Sequence, residues 1–77
     1  MSAVVQETEV STSVGKVIEL TAESLESFED AVRRGIEKAG ETVDDIRSAW
    51  VEGQQVLVKD GQVLAYRVDL KITFIVH

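Results

Sequence analysis

The chain has 77 residues, 44% of them hydrophobic, and a formal net charge of −6 at pH 7. A chain this short forms one domain with a small core, so its own packing gives marginal stability. Cysteine is absent, which excludes disulfides, zinc–thiolate sites and a thiol nucleophile. Oligomerisation is the stabilising device that remains.

The acidic balance argues against general nucleic-acid binding. Eight Lys and Arg residues are scattered among 14 Asp and Glu residues, whereas phosphate binding needs clustered basic side chains. We interpret the charge as a means of solubility, with attraction of cations as the alternative. No apolar run approaches 18 residues and no secretory signal is visible, so we expect a soluble cytoplasmic protein without a membrane partner.

The first half of the chain predicts an N-terminal extension, a strand and a helix. Residues 1–13 are polar or β-branched without helical period, and are interpreted as a flexible arm or an edge strand. Residues 14–77 then form a single domain. Residues 14–21 alternate as a strand with one apolar side.

A helix follows the first strand. Ser24 is the expected N-cap and Gly40 the expected C′ residue, and Gly35 is expected to allow close packing on a sheet. Apolar residues recur at helical spacing and predict the buried stripe of this helix. They are Leu25, Phe28, Val32, Ile36 and Ala39.

Asp60-Gly61 predicts a tight turn that folds residues 47–76 into a β-hairpin, because this dipeptide tolerates positive φ angles. The expected register gives the hairpin two different faces. The apolar face pairs Leu57 with Leu64, Gln55 with Tyr66, Gly53 with Val68, Val51 with Leu70, and Ala49 with Ile72. The other face pairs Val56 with Ala65, Gln54 with Arg67, Glu52 with Asp69, Trp50 with Lys71, and Ser48 with Thr73.

The resulting fold class is α+β, in the order β-α-β-β, with a three-stranded antiparallel sheet packed on one helix. One helix covers one sheet face, so the second face stays open. The tryptophan of the chain, Trp50, lies on that open face in this arrangement, where other copies of the chain or a ligand would cover it. Trp50 predicts either a structural cation–π contact with Lys71 and Arg67 or a platform for a planar ligand.

The sequence offers few groups for catalysis. His77 stands at the end of the chain, and no nucleophile–base set or nucleotide-phosphate motif is present, so we expect no enzymatic activity. Carboxylates are the candidate metal ligands. Asp44 and Asp45 form an acidic connection that could bind a cation or remain solvated. Glu52 and Asp69 are expected to face each other and to be neutralised by Arg67, Lys71 or a cation, with Arg67 favoured.

Three segments resemble the dodecin family. They are KVIELT leading into a helix that opens Ser24-x-x-Ser27-Phe28, ETVDDI at residues 41–46, and YRVDLKITF at residues 66–74. The resemblance covers residues 16–76. It implies a small β-α-β-β protein that assembles into a hollow homododecamer and binds flavins without catalysing a reaction.

Two positions depart from the flavin-binding members of that family. The resemblance aligns Ser48 with a tryptophan that stacks on the flavin ring, and Arg67 with a glutamine that hydrogen-bonds the ring. Around residues 43–47 the sequence is similar to dodecins described as calcium-binding. The sequence therefore favours a binding or storage shell, either for FMN or riboflavin with Trp50, Arg67, Ser48 and Gln54 as contacts, or alternatively for calcium or as a purely structural shell. In the second case Asp44, Asp45, Glu52 and Asp69 are the candidate cation ligands.

Overall fold

A computed structural model describes residues 14–77, and the interpretation of residues 1–13 falls outside this part of the chain. The order of elements is β1 (Val14–Ser24), α1 (Phe28–Gly40), β2 (Ile46–Lys59) and β3 (Gln62–Val76). The three strands form one antiparallel sheet in the order β1-β3-β2. The predicted α+β class and β-α-β-β order are confirmed.

The hydrophobic core lies between α1 and one face of the sheet. Fully buried side chains of the central strand β3, namely Val68, Leu70 and Ile72, meet the buried face of the helix. Because hydrophobic burial is the main favourable term in folding, this layer holds the domain together. Partly buried apolar residues complete it: Ile18, Leu20, Ala22, Phe28, Val32, Ile36, Ile46 and Ala49.

The start of α1 differs from the prediction. Ser27, rather than Ser24, is the N-cap, and its hydroxyl accepts a hydrogen bond from the Asp30 amide at 3.0 Å. Strand β1 continues through Ser24, whose Oγ accepts from the Glu26 amide and donates to Asp30. Leu25 precedes the helix and is 78% exposed, so its predicted place in the buried stripe is wrong. The rest of the stripe is confirmed.

The two helical glycines have different roles. A Cβ on Gly35 would lie 2.7 Å from Leu70 Cδ1 and 3.1 Å from Ala22 Cβ, which confirms that the residue permits close packing on the sheet. Gly40 is not a left-handed C′ residue. The helix includes it, and Glu41 forms the C-cap with φ −73°.

The Asp60-Gly61 turn of the hairpin is confirmed, and both residues have positive φ (53° and 76°) as a type I′ turn requires. The register agrees with the prediction from Ser48–Thr73 to Val51–Leu70. From Gly53–Asp69 to Leu57–Ala65 the register is shifted by one residue relative to the prediction. Shifts at Val51/Gly53 and Leu57/Val58 bound the shifted segment, and a third lies at Ile46/Ser48.

These β-bulges change which face several side chains occupy, because an extra residue reverses the alternation of the strand. Val56 pairs with Tyr66 and Gln54 with Val68, so both lie on the helix side instead of the predicted open face. Gln55 pairs with Arg67 and Gly53 with Asp69. The predicted Glu52–Asp69 and Gln54–Arg67 pairs are therefore wrong.

The hairpin of β2 and β3 extends beyond the helix. The domain measures 51 × 28 × 15 Å, and α1 contacts β1 and β3 far more than β2. Several apolar residues of the hairpin are consequently exposed. They are Val51, Val56, Val58, Val63 and Leu64.

Candidate functional site

The sheet face opposite α1, called here the open face, carries polar and charged side chains from all three strands. Directly paired residues in an antiparallel sheet point to the same side, so the pairs define rows across the face. On this basis each row joins one residue of β1, one of β3 and one of β2. The rows are Val17–Thr73–Ser48, Glu19–Lys71–Trp50, Thr21–Asp69–Gly53 and Glu23–Arg67–Gln55.

Trp50 lies on this face with 70% of its surface exposed. It lines a shallow groove together with Val17, Ser48, Lys71 and Thr73. The predicted position of the indole opposite Lys71 is confirmed. A flat apolar ring next to hydroxyl groups is suited to stacking on an aromatic ligand whose edge carries polar atoms.

Arg67 is bound within the sheet. Its Nε donates to Glu23 Oε2 at 2.8 Å, and its Nη1 donates to Gln55 Oε1 at 3.1 Å. These contacts take Arg67 away from the carboxylates it was expected to neutralise. Gln55 was missed because the β-bulge before it brings it to the open face, in the place that Gln54 was predicted to occupy.

Lys71 is the cation that pairs with Glu52. Its Nζ lies 3.1 Å from Glu52 Oε2, and a hydrogen bond from Lys71 to this carboxylate raises the pKa of Lys71. Glu52 is the extra residue of the bulge at Val51/Gly53, yet its side chain still lines a depression on the open face with Glu19, Thr21 and Asp69. Asp69 accepts a hydrogen bond from the Thr21 hydroxyl at 3.1 Å.

The acidic connection before β2 is held in place by hydrogen bonds of Asp45 to neighbouring parts of the chain. Asp45 has a positive φ of 61°, and its carbonyl accepts a hydrogen bond from the Ile75 amide. Its carboxylate accepts from Arg47 Nε at 2.8 Å and lies 2.7 Å from His77 Nε2. Hydrogen bonds from Arg47 and then His77 lower the pKa of Asp45. Asp44, its neighbour, is exposed.

The carboxylates proposed as cation ligands occupy two separate places. Asp44 and Asp45 belong to the connection between α1 and β2, whereas Glu52 and Asp69 lie on the open face. Within residues 14–77, no group of three or more His, Cys, Asp and Glu side chains is arranged to hold a metal ion.

Within residues 14–77, the helix α1 is neither long nor apolar enough to cross a bilayer.

Residues 14–77 match the family model described as Dodecin. The chain is also similar to the calcium dodecin of Mycobacterium tuberculosis, with 37% identity over 62 residues that cover 80% of this chain and 87% of the relative.

Solved structures agree with that match. The dodecin of Streptomyces coelicolor superposes with a TM-score of 0.82 at 27% identity, covering 87% of this chain and 96% of the other. A crystal structure of the M. tuberculosis calcium dodecin, described as a calcium-chelating antigen with a novel calcium-binding site, gives a TM-score of 0.74 at 36% identity, with coverages of 84% and 93%.

Proposed function

This chain belongs to the dodecin family, and on that premise we propose that it is a non-enzymatic protein that assembles into a hollow homododecamer and binds a small ligand. Two features of the fold support this proposal. The open face exposes a tryptophan, and the hairpin exposes Val56, Val58 and Leu64 beyond the helix. Exposed apolar surface of this kind marks an interaction site in a small domain.

The first candidate ligand is a flavin, FMN or riboflavin, and the exposed indole of Trp50 is the observation that carries this proposal. The family resemblance aligns Ser48 with the stacking tryptophan, and Ser48 lies on the same face as Trp50 in the adjacent row. The stacking surface that Trp50 offers is therefore displaced by roughly 6–7 Å along the strand from the aligned position. Ser48 supplies a hydroxyl beside the groove. Arg67, at the other end of the face, would reach a ligand with the N–H groups that Glu23 and Gln55 leave unused.

Native mass spectrometry tests assembly and binding in one experiment. We expect a mass of twelve chains, which increases in steps of one flavin when riboflavin or FMN is added. Trp50→Ala should keep the dodecamer and abolish most quenching of flavin fluorescence, because stacking provides the quenching contact. A flavin-bound dodecamer whose quenching survives this substitution would contradict the assigned role of Trp50.

The second candidate ligand is calcium, favoured by the 37% identity to a calcium dodecin. Calcium binds several carboxylate and carbonyl oxygens, and symmetry axes in an assembly bring copies of one carboxylate together. Asp44 is exposed and free to participate, whereas Asp45 would have to release Arg47 and His77. Glu52 and Asp69 offer a second acidic place on the open face.

Calcium binding should stabilise the assembly through linkage. After treatment with a chelator, millimolar CaCl₂ is expected to raise the melting temperature of the protein, whereas MgCl₂ raises it less. Two single variants, Asp44→Asn and Asp69→Asn, identify which of the two acidic regions binds the ion. The calcium-induced rise in melting temperature should disappear in the variant that loses a ligand. An unchanged melting temperature in calcium would favour a flavin-binding or purely structural shell.

A further inference from the structure

We propose that Asp69 is the specificity residue of the open face, and that the site takes a planar heteroaromatic ligand which stacks on Trp50 and donates an N–H group from its edge to the Asp69 carboxylate. This inference deepens the proposed ligand-binding function and rests on it. It concerns a group that differs from the aligned flavin contacts at Ser48 and Arg67.

The geometry of one row supports this role. Asp69 is paired with Thr21 on one side and Gly53 on the other. Its Oδ1 accepts the Thr21 hydroxyl at 3.1 Å, which fixes the orientation of the carboxylate. The position of a Cβ on Gly53 lies 3.4 Å from Oδ2, so this second oxygen faces the space where Gly53 has no side chain. Oδ2 is thus an acceptor aimed into a gap.

The gap lies next to Trp50. The row of Asp69 and Gly53 is adjacent to the row of Lys71 and Trp50, which places the two about 7 Å apart along the sheet. A ring stacked on the indole therefore reaches the Asp69 row with its edge. The absence of a side chain at Gly53 leaves room for this edge.

The charges of the open face favour a ligand with donors over one with anionic groups. Its two cations are already paired, Arg67 with Glu23 and Lys71 with Glu52. Two further carboxylates, Glu19 and Asp69, line the same depression. The face therefore has an excess of acceptors, to which an uncharged or cationic ring with an N–H edge is complementary.

Riboflavin and 3-methylriboflavin provide matched probes, because the methyl group removes one ring N–H and leaves the stacking surface unchanged. Fluorescence titration of the assembled wild-type protein should show about tenfold or more tighter binding of riboflavin. Asp69→Ala should remove this preference, because it lowers the affinity for riboflavin to the affinity for the methylated compound. A preference that persists in Asp69→Ala would overturn the proposal.

Substitutions of two glycines on the open face, Gly53 and Gly15, test whether the gap is needed for binding and separate this effect from a loss of protein stability. Gly53→Val fills the gap with a side chain suited to a strand, so it should abolish binding of riboflavin while the melting temperature stays constant or rises. Gly15→Val makes the same change on the same face at the far end of β1, opposite Ile75, and should bind as wild type. Unchanged riboflavin affinity in Gly53→Val would refute a site above Gly53.

Native mass spectra of the same samples separate this inference from the proposed function. An intact dodecamer that binds neither flavin at millimolar concentration rejects the Asp69 site while the assembly stands and calcium remains its candidate ligand. A protein that fails to form the dodecamer rejects the proposed assembly itself, whatever the probes show.

Discussion

At the scale of single residues, Gly35 shows how one missing side chain sets the distance between helix and sheet. It is buried under the centre of α1, facing Leu70 of β3 and Ala22 of β1. Leu70 is 1% exposed, so its methyl group has little space in which to move. The close approach of α1 therefore depends on the glycine.

We expect Gly35→Ala to destabilise the domain by about 1–3 kcal/mol, because overpacking costs more than the helix propensity gained from alanine. Gly40→Ala is the matched control. A Cβ at Gly40 meets no atom within 4 Å and φ there is not positive, so this change should be neutral or stabilising by up to about 1 kcal/mol. Chemical denaturation of both variants measures the difference, and equal stabilities would contradict the packing argument.

At the scale of elements, the N-terminus of α1 depends on two serines with separate functions. Ser27 caps the helix through the Asp30 amide, whereas Ser24 closes the end of β1 onto the same turn. Loss of a cap hydroxyl typically costs about 1 kcal/mol. Ser27→Ala should therefore lower the free energy of unfolding by about that amount, measured by urea denaturation. Ser27→Asp, which retains a capping oxygen, should restore it, and failure of this rescue would contradict the capping role.

The hairpin is the element through which we expect copies to associate. Val56 is 40% exposed on the helix side of β2, beyond the part that α1 covers. Val56→Lys should shift the assembly to smaller species, measured by light scattering after gel filtration, while the circular dichroism of the chain is retained. Gln62→Lys, at the exposed start of β3 beside the turn, is the control and should leave the assembly intact. A dodecamer of Val56→Lys would exclude this surface from the subunit contacts.

The elements themselves were predictable from sequence, because hydrophobic alternation, helical spacing and the Asp60-Gly61 turn all report short-range preferences. The bulges were not. The extra residues in the hairpin carry no distinctive sequence signal, so Gln54 was assigned to the face that Gln55 occupies. The side-chain partners of Arg67 and Asp45 could not be predicted either, since they depend on residues distant in sequence, Glu23 and His77.

At the scale of the whole molecule, acidic pH should lower the stability of the fold through two carboxylates, Asp30 and Asp45. A hydrogen bond from Arg34, followed by one from Ser24, lowers the pKa of Asp30 below its ordinary value of 3.8, and Arg47 and His77 lower the pKa of Asp45. A lowered folded-state pKa means that the unfolded chain binds the proton more readily. The stabilisation is present above the ordinary value and is lost as the pH falls through the lowered one.

Thermal unfolding between pH 6 and pH 2.5 tests this expectation. The melting temperature of the wild-type protein should fall below about pH 4. The double variant Asp30→Asn/Asp45→Asn should be less stable at pH 6 and show a shallower fall. A pH profile parallel to that of the wild type would indicate that other carboxylates govern acid unfolding.

The bulge at Glu52 also determines how mutations that change the length of β2 would affect the open face. Before this inserted residue the even-numbered positions of β2 point to the open face, and after it the odd-numbered positions do, so Trp50 and Gln55 lie on the same side of the sheet. Loss of that one codon would remove the bulge and leave Gly53 opposite Asp69, so the distal pairs would keep their faces while Lys71 loses its carboxylate partner. A change of length at this position can thus alter the charge of the open face without exchanging the two sides of the hairpin.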